Sequence, residues 1–296
     1  MMKFIVYILV VLGYITSTNA QSFDEKQADA VIRNGTVQEL RDLIQSGYDI
    51  DHIYQCQTLL TTAIKSAAEN PIVKTSPRNA LTKIKVLLEA GANYNREPCP
   101  GQSLHPIFLT VSLPLLLLQT ENELNDILDN NIAKASEYCE IGNLVSKPCK
   151  DITKEEREQL RLYFHQTTQL ALKNLTPYFT KILKLLLSRH VDLAQTDENK
   201  NSILHYAAAM PPEIKTEALN LLLKTGIFVD PQNNDGQTPL FFAYGAENPE
   251  AIEALSNAGT DLTMRDNNEM LAHQTKFVII RPNARADGSF AISVQN

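Results

Sequence analysis

One phased repeat constrains this chain more than any other feature. Gly226 leads I-F-V-D-P-Q-N-N-D-G-Q, and Thr238-Pro239-Leu240 stands with its first residue twelve positions on. Ser202 lies twelve after His190, Ser103 twelve after Gly91, and Thr58 eleven after Gly47, while Gly259 leads the weakest copy. Ahead of Gly226, Leu219, Leu222 and Leu223 share one helical face. Units of this kind bury their apolar faces only on their neighbours, so the chain must stack them in a row. Each spacing has a local cause. A glycine after a leucine-rich helix supplies a left-handed end, and His190, which replaces it in one copy, must either tolerate that conformation or alter the turn. Thr or Ser before Pro-Leu caps the next helix, and proline in the first helical position lacks only a donor that would be idle.

The intervals between lead positions locate an interruption. Gly47 to Gly91 is 44 residues, Gly91 to His190 is 99, His190 to Gly226 is 36 and Gly226 to Gly259 is 33. The 44 holds an extra loop around residues 70–79. The 99 is one repeat plus 66, which means either two unrecognisable repeats or an insertion between the helices of one repeat; the insertion is the favoured reading. Residues 103–111 then form an inner helix and 178–188 its outer partner. Between them, Leu124, Ile127 and Leu128 mark a helix over 121–140. Thr153-x-x-Glu156 is a capping box that opens a second helix to about Lys173, with Leu160, Tyr163, Phe164 and Leu170 as its apolar face. This predicts a helical hairpin inserted at about 119–176. The run 113–118 is too short for a membrane and reads as core helix. Residues 25–33 and 37–45 flank Asn34-Gly35 as an atypical starting helix pair. After His273 no helical period remains. Residues 277–280 and 290–294 could be two short strands around Asp287-Gly288, or the tail could be disordered.

These residues resemble the ankyrin repeat, whose signature runs G-A-D-x-N, a hairpin, then G-x-T-P-L-H-x-A. The resemblance covers about residues 24–274 through five phased copies. It implies an all-α solenoid of stacked helix pairs with β-hairpin loops over residues 21–275, five to six repeats in all, followed by a tail at 276–296. It implies that His205 bonds hairpin backbone, and that Tyr206 and Phe242, which share one repeat position, are core. It also implies a rigid concave face for a protein partner. Carried over residue by residue, the contact positions are Glu198, Asn199 and Asn201 in one unit, Asn234, Asp235 and Gln237 in the next, and Asn267 and Asn268 in the last. Met210 and Ala246 follow their inner helices onto the same face. This polar, amide-rich set suits a protein surface with backbone or basic groups. The implied function is a monomeric, non-enzymatic protein–protein interaction module.

The first twenty residues read as an address. Lys3 precedes a twelve-residue apolar run, residues 4–15, and Thr18-x-Ala20 fits a signal-peptidase site before Gln21. The expectation is export, to a periplasm or beyond the cell, with no stable membrane anchor after cleavage. Export permits disulfides. On the repeat architecture Cys56 and Cys99 fall in consecutive hairpin loops, and Cys139 and Cys149 at the turn of the inserted pair. Cys56–Cys99 and Cys139–Cys149 are the expected bridges; four thiols in a reducing compartment are the alternative.

Chemistry is not signposted. The formal charge is −7, from 27 Lys and Arg against 34 Asp and Glu, which gives no counterion-release drive toward nucleic acid. No phosphate-loop, dinucleotide, zinc-protease or nucleophile-elbow motif occurs, so no catalytic residue, cofactor or metal is expected. His105, His205 and His273 fall at or near the repeat's structural histidine, and His165 sits near Glu158 and Arg161 on a solvated face. Two Asn-x-Thr sequons, at Asn34 and Asn174, are within chance. The competing functional reading is an enzyme or toxin-like secreted effector whose activity resides in the insertion or the tail.

Overall fold

The computed structural model describes residues 23–66, 77–99, 105–115, 139–141, 145–147, 152–212, 214, 216–275, 281–282 and 292–293. A helix pair opens the stack, α1 (Phe23–Arg33) and α2 (Val37–Gln45). Thr36 and Glu39 start α2 with a reciprocal capping box: Thr36 N–H donates to Glu39 Oε2 at 2.6 Å, and Glu39 N–H to Thr36 Oγ1 at 3.1 Å. Unit 1 adds α3 (Leu59–Ser66) and α4 (Pro77–Glu89). Unit 2 begins its inner helix α5 at residues 106–115 and ends with the last turns of α6 (Lys154–Leu187). Unit 3 holds α7 (Ile203–Ala208) and α8 (Glu217–Leu223), and unit 4 holds α9 (Pro239–Gly245) and α10 (Pro249–Asn257). Unit 5 supplies a hairpin and a 3-10 turn, Ala272–Gln274.

All five lead positions are left-handed: Gly47, Gly91, Gly226 and Gly259 at φ 85°, 93°, 77° and 89°, and His190 at φ 56°. His190 has a Cβ and takes that conformation at a cost of about 1–2 kcal/mol, which the surrounding packing holds in place.

The long interval is an insertion inside unit 2. Tyr94 O–H donates to Arg189 O at 2.6 Å, Arg189 Nη1 to Leu88 O at 3.1 Å, and Asp192 N–H to Asn95 Oδ1 at 2.8 Å. The hairpins led by Gly91 and His190 are therefore direct neighbours, with no unit between them.

Within the insertion the structure corrects three expectations. The segment from Lys154 onward does not stop near Lys173; it runs through Pro177 to Leu187 as one 34-residue helix, about 51 Å long at 1.5 Å per residue. Pro177 removes one donor, yet Leu172, Leu175, Tyr178, Phe179 and Ile182 are buried on both sides of it, and packing holds the axis through the defect. The expected helix does not reach Glu140, because Cys139–Ile141 (β1) pairs antiparallel with Val145–Lys147 (β2). Residues 116–138 and Cys149 lie outside the described residues, and with them the rest of that helix and the Cys139–Cys149 bridge. The inner helix of unit 2 begins at Pro106, not Ser103, with His105 before it: Phe108 N–H donates to His105 O at 3.0 Å. Thr153 and Glu156 do form their capping box. In the tail, Arg281–Pro282 (β3) pairs with Ile292–Ser293 (β4). The first of these lies just beyond the expected 277–280 strand.

The core is continuous from Ala28 through Leu60, Leu87, Leu109, Ile182, Leu204 and Leu219 to Leu255 and Ala272. Tyr206 and Phe242 are both fully buried, as the repeat pattern implied. Each meets the inner helix of the preceding unit edge-on: Phe108 with Tyr206 at 5.2 Å, His205 with Phe242 at 5.0 Å. At the start of the stack, buried Lys83 donates from Nζ to the carbonyls of Val31 and Ile32 at 2.8 and 2.7 Å, closing the C-terminus of α1. Burial lowers its pKa.

Candidate functional site

The hairpin tips of units 3 to 5 are held by an internal polar chain. Asp197 accepts the N–H groups of Asn199 and Asn201 at 2.8 and 2.7 Å, Asn201 Nδ2 at 2.8 Å and the Tyr206 hydroxyl at 2.9 Å. Burial pushes its carboxyl upward, opposed by those donors. Asn201 Oδ1 in turn accepts Asn233 Nδ2 at 2.9 Å, and Asn233 Oδ1 accepts the N–H groups of Asp235 and Gln237. Asp266 repeats the role in unit 5, toward Asn268 and Met270.

Three of the sequence-derived contact residues belong to this interior and are corrected. Asn201 is fully buried, its amide bonding Asp197 and Asn233, and Gln237 is 2% exposed, its backbone N–H and carbonyl closing the turn on Asn233. Met210 is 4% exposed, and its carbonyl accepts Asn248 Nδ2 at 2.8 Å. The structure leaves Asn234, Asp235, Asn267 and Asn268 exposed, with Glu198 and Asn199 half-buried.

These remaining residues form one edge. Asn234 donates from its backbone to Asn199 O at 2.8 Å and from Nδ2 to Glu198 O at 3.2 Å. Asn267 does the same one unit on, to Asp235 O and Asn234 O, both at 2.9 Å. An asparagine in the tips of units 4 and 5 thus clips each to the preceding tip, and the edge is prearranged before anything binds.

His205 is structural. Its Nδ1 accepts Ser202 N–H at 2.9 Å, so Nε2 carries the proton and donates to Gln237 O at 3.0 Å in the next hairpin. Desolvation lowers its pKa to about 4, as it does for buried His105. In unit 5 the equivalent is Gln274, whose Oε1 accepts Leu271 N–H at 2.8 Å, and His273 stands exposed beside it.

At the other end, Cys56 and Cys99 are bridged, with Cα atoms 5.3 Å apart, and join the hairpins of units 1 and 2. Beside α1 a shallow cleft is lined by Glu25, Asp29, Tyr48, His52, Tyr54 and Gln57, and His52 Nε2 lies 2.9 Å from Glu25 Oε1. Among the described residues no three His, Cys, Asp or Glu side chains are placed to hold a metal ion, and no helix is long and apolar enough to cross a membrane.

Left-handed corners, helix pairs and clipped hairpins define an all-α solenoid. The family model described as ankyrin repeats, in three copies, matches residues 170–266. This segment is ankyrin repeat, and the stacked helix pairs make the fold an ankyrin solenoid. A comparison with curated proteins finds no match. Ankyrin repeats indicate a protein–protein interaction module, and such domains are generally non-catalytic.

Proposed function

We propose that this chain is an exported, non-enzymatic binding module that takes a protein partner on the hairpin edge of its concave face. The observation that carries the reading is the row of clipped, exposed tips: Asn234, Asp235, Asn267 and Asn268, with Glu198 and Asn199 leading into it. The row is rigid, rich in amides and acidic, and it suits a partner that offers backbone groups or cations. The basic start, the apolar run at residues 4–15 and Thr18-x-Ala20, together with the Cys56–Cys99 bridge, support export, since disulfides persist in oxidising compartments.

The test compares two baits in envelope and secreted fractions read by mass spectrometry: the chain from Gln21, and the same chain carrying Asp235→Lys with Asn268→Lys. The reading expects a protein retained by the first and lost by the second, with the circular dichroism spectrum unchanged. A partner retained equally by both removes the tips from the binding surface. Export is checked separately by N-terminal sequencing of the secreted or periplasmic protein, which should begin at Gln21.

A further inference from the structure

Two repeating bonds run along the loop that follows each lead position. The residue two after the lead turns its side chain onto its own chain: Asp49 accepts Asp51 N–H, Asn93 accepts Asn95 N–H, Asp192 accepts Ala194 N–H and Asp261 accepts Thr263 N–H, all at 2.8–3.0 Å. The residue four after the lead reaches the next unit: Asp51 accepts Asn93 N–H, Asn95 accepts Asp192 N–H and Asp230 accepts Asp261 N–H, at 2.8–3.0 Å. One junction departs from both rules. Between units 3 and 4, Ala194 stands where the others have an acceptor, and Phe228 stands where every other unit has Asp or Asn.

Phe228 gains nothing from the stack in exchange. It is 70% exposed, the most exposed large apolar side chain among the described residues. Its flanks are acidic: Asp192 and Asp261 occupy the same loop position in the units on either side, and the bonds from Ala194 and Thr263 lower both carboxyl pKa values and keep them charged. Asp230 lies two residues on, and Lys224 is the exposed base nearest in sequence. The surroundings share this sign. Residues 190–275 hold thirteen Asp and Glu against four Lys and Arg, a net −9, whereas the whole chain is only −7. Where a repeating structural rule is abandoned without compensating packing, the position is free to serve binding, and an exposed aromatic with a carboxylate at the equivalent position of each neighbouring unit fits an apolar anchor with a polar rim.

We infer that Phe228, set between Asp192 and Asp261, anchors a second docking surface on the loop edge, and that its occupant is a protein segment presenting an aliphatic side chain between basic residues. The inference keeps the binding-module reading but uses a different surface from the tips.

The probe is a short synthetic peptide with one central leucine between pairs of lysines, titrated into the isotope-labelled full chain and followed by amide chemical shifts. Shifts are expected at Phe228, Val229, Asp192 and Asp261, weakening with added salt. A peptide with serine for leucine, and one with glutamates for lysines, should each bind at least about tenfold more weakly. Phe228→Ser should lower affinity about tenfold with an unchanged melting temperature, and Ala194→Asp with Phe228→Asp, which rebuilds both bonds, should abolish the shifts. No shift at saturating peptide, shifts confined to the tips, or equal binding by Phe228→Ser would each overturn the inference. Asp235→Lys with Asn268→Lys should leave these shifts in place, so failure of the tip reading is scored independently.

Discussion

Units 1 and 2 and units 3 to 5 solve one problem with different chemistry. Neighbouring hairpins must be kept in register along the stack. In units 3 to 5 the register is set by asparagine clips and a buried chain from Asp197 through Asn201 and Asn233. In units 1 and 2 a covalent bridge does it, Cys56 to Cys99, aided by buried Lys83 at the end of α1. The first solution is a set of desolvated, non-covalent amide bonds, and the second depends on redox state. The two halves should accordingly fail under different conditions.

The bridge offers the sharpest separation. Cys56→Ser with Cys99→Ser removes a link across a sequence separation of 43 and should cost about 4 kcal/mol in the chain-entropy model. Hydrogen exchange should rise over residues 23–89 and stay low over 190–257; equal loss in both halves would merge them into one cooperative block. Acid should act the other way round in unit 3. His205 is neutral when folded, with a pKa of about 4 against an ordinary value near 6.5, so the unfolded chain binds the extra proton. Stability from this group is complete above about pH 6.5 and is lost as pH falls toward 4, on the order of 3 kcal/mol. His205→Gln, the side chain the molecule itself uses at Gln274, should flatten that part of the melting-temperature profile. His105, shifted the same way in unit 2, should leave a residual slope in the variant.

Smaller effects refine the contrast. Lys83→Met leaves two helix-end carbonyls buried without their donor and should cost about 2 kcal/mol, visible as a lower denaturation midpoint with protection lost first in α1. Gly236→Ala should cost about 1–2 kcal/mol. Gly236 sits at φ 75°, and an added Cβ would lie 2.6 Å from Asn267 Oδ1, directly against the clip between units 4 and 5. Phe228→Ser, which disturbs neither device, should stay within about 0.5 kcal/mol.

Much of the stack was readable because its demands are local. A left-handed corner needs glycine or a tolerant residue, and the lead positions announce themselves at fixed spacing, His190 included. The capping box at Thr153 was legible for the same reason, whereas the Cys56–Cys99 pairing, 43 residues apart, followed from the phasing of the repeats, and the box at Thr36 came only with the structure. What stayed hidden depends on tertiary surroundings. Pro177 signals a helix end, and only the buried residues on either side of it explain why α6 continues. Asn201 and Gln237 look like surface amides until the recurrence is taken seriously: a polar residue at one repeat position in unit after unit is there for the stack. Phe228 is the converse, an aromatic at a position where four other units hold Asp or Asn, and that departure was visible in the aligned copies.

The placement of the insertion has a mechanical corollary. Tyr94, Asn95, Arg189 and Asp192 tie units 2 and 3 together at the hairpin side, where the extra residues neither enter nor leave. The pitch of the spine is therefore indifferent to the size of the loop grafted between α5 and the final turns of α6. Unit 2 acts as a socket: cargo of another length or shape can be exchanged there while every vertebra keeps its spacing.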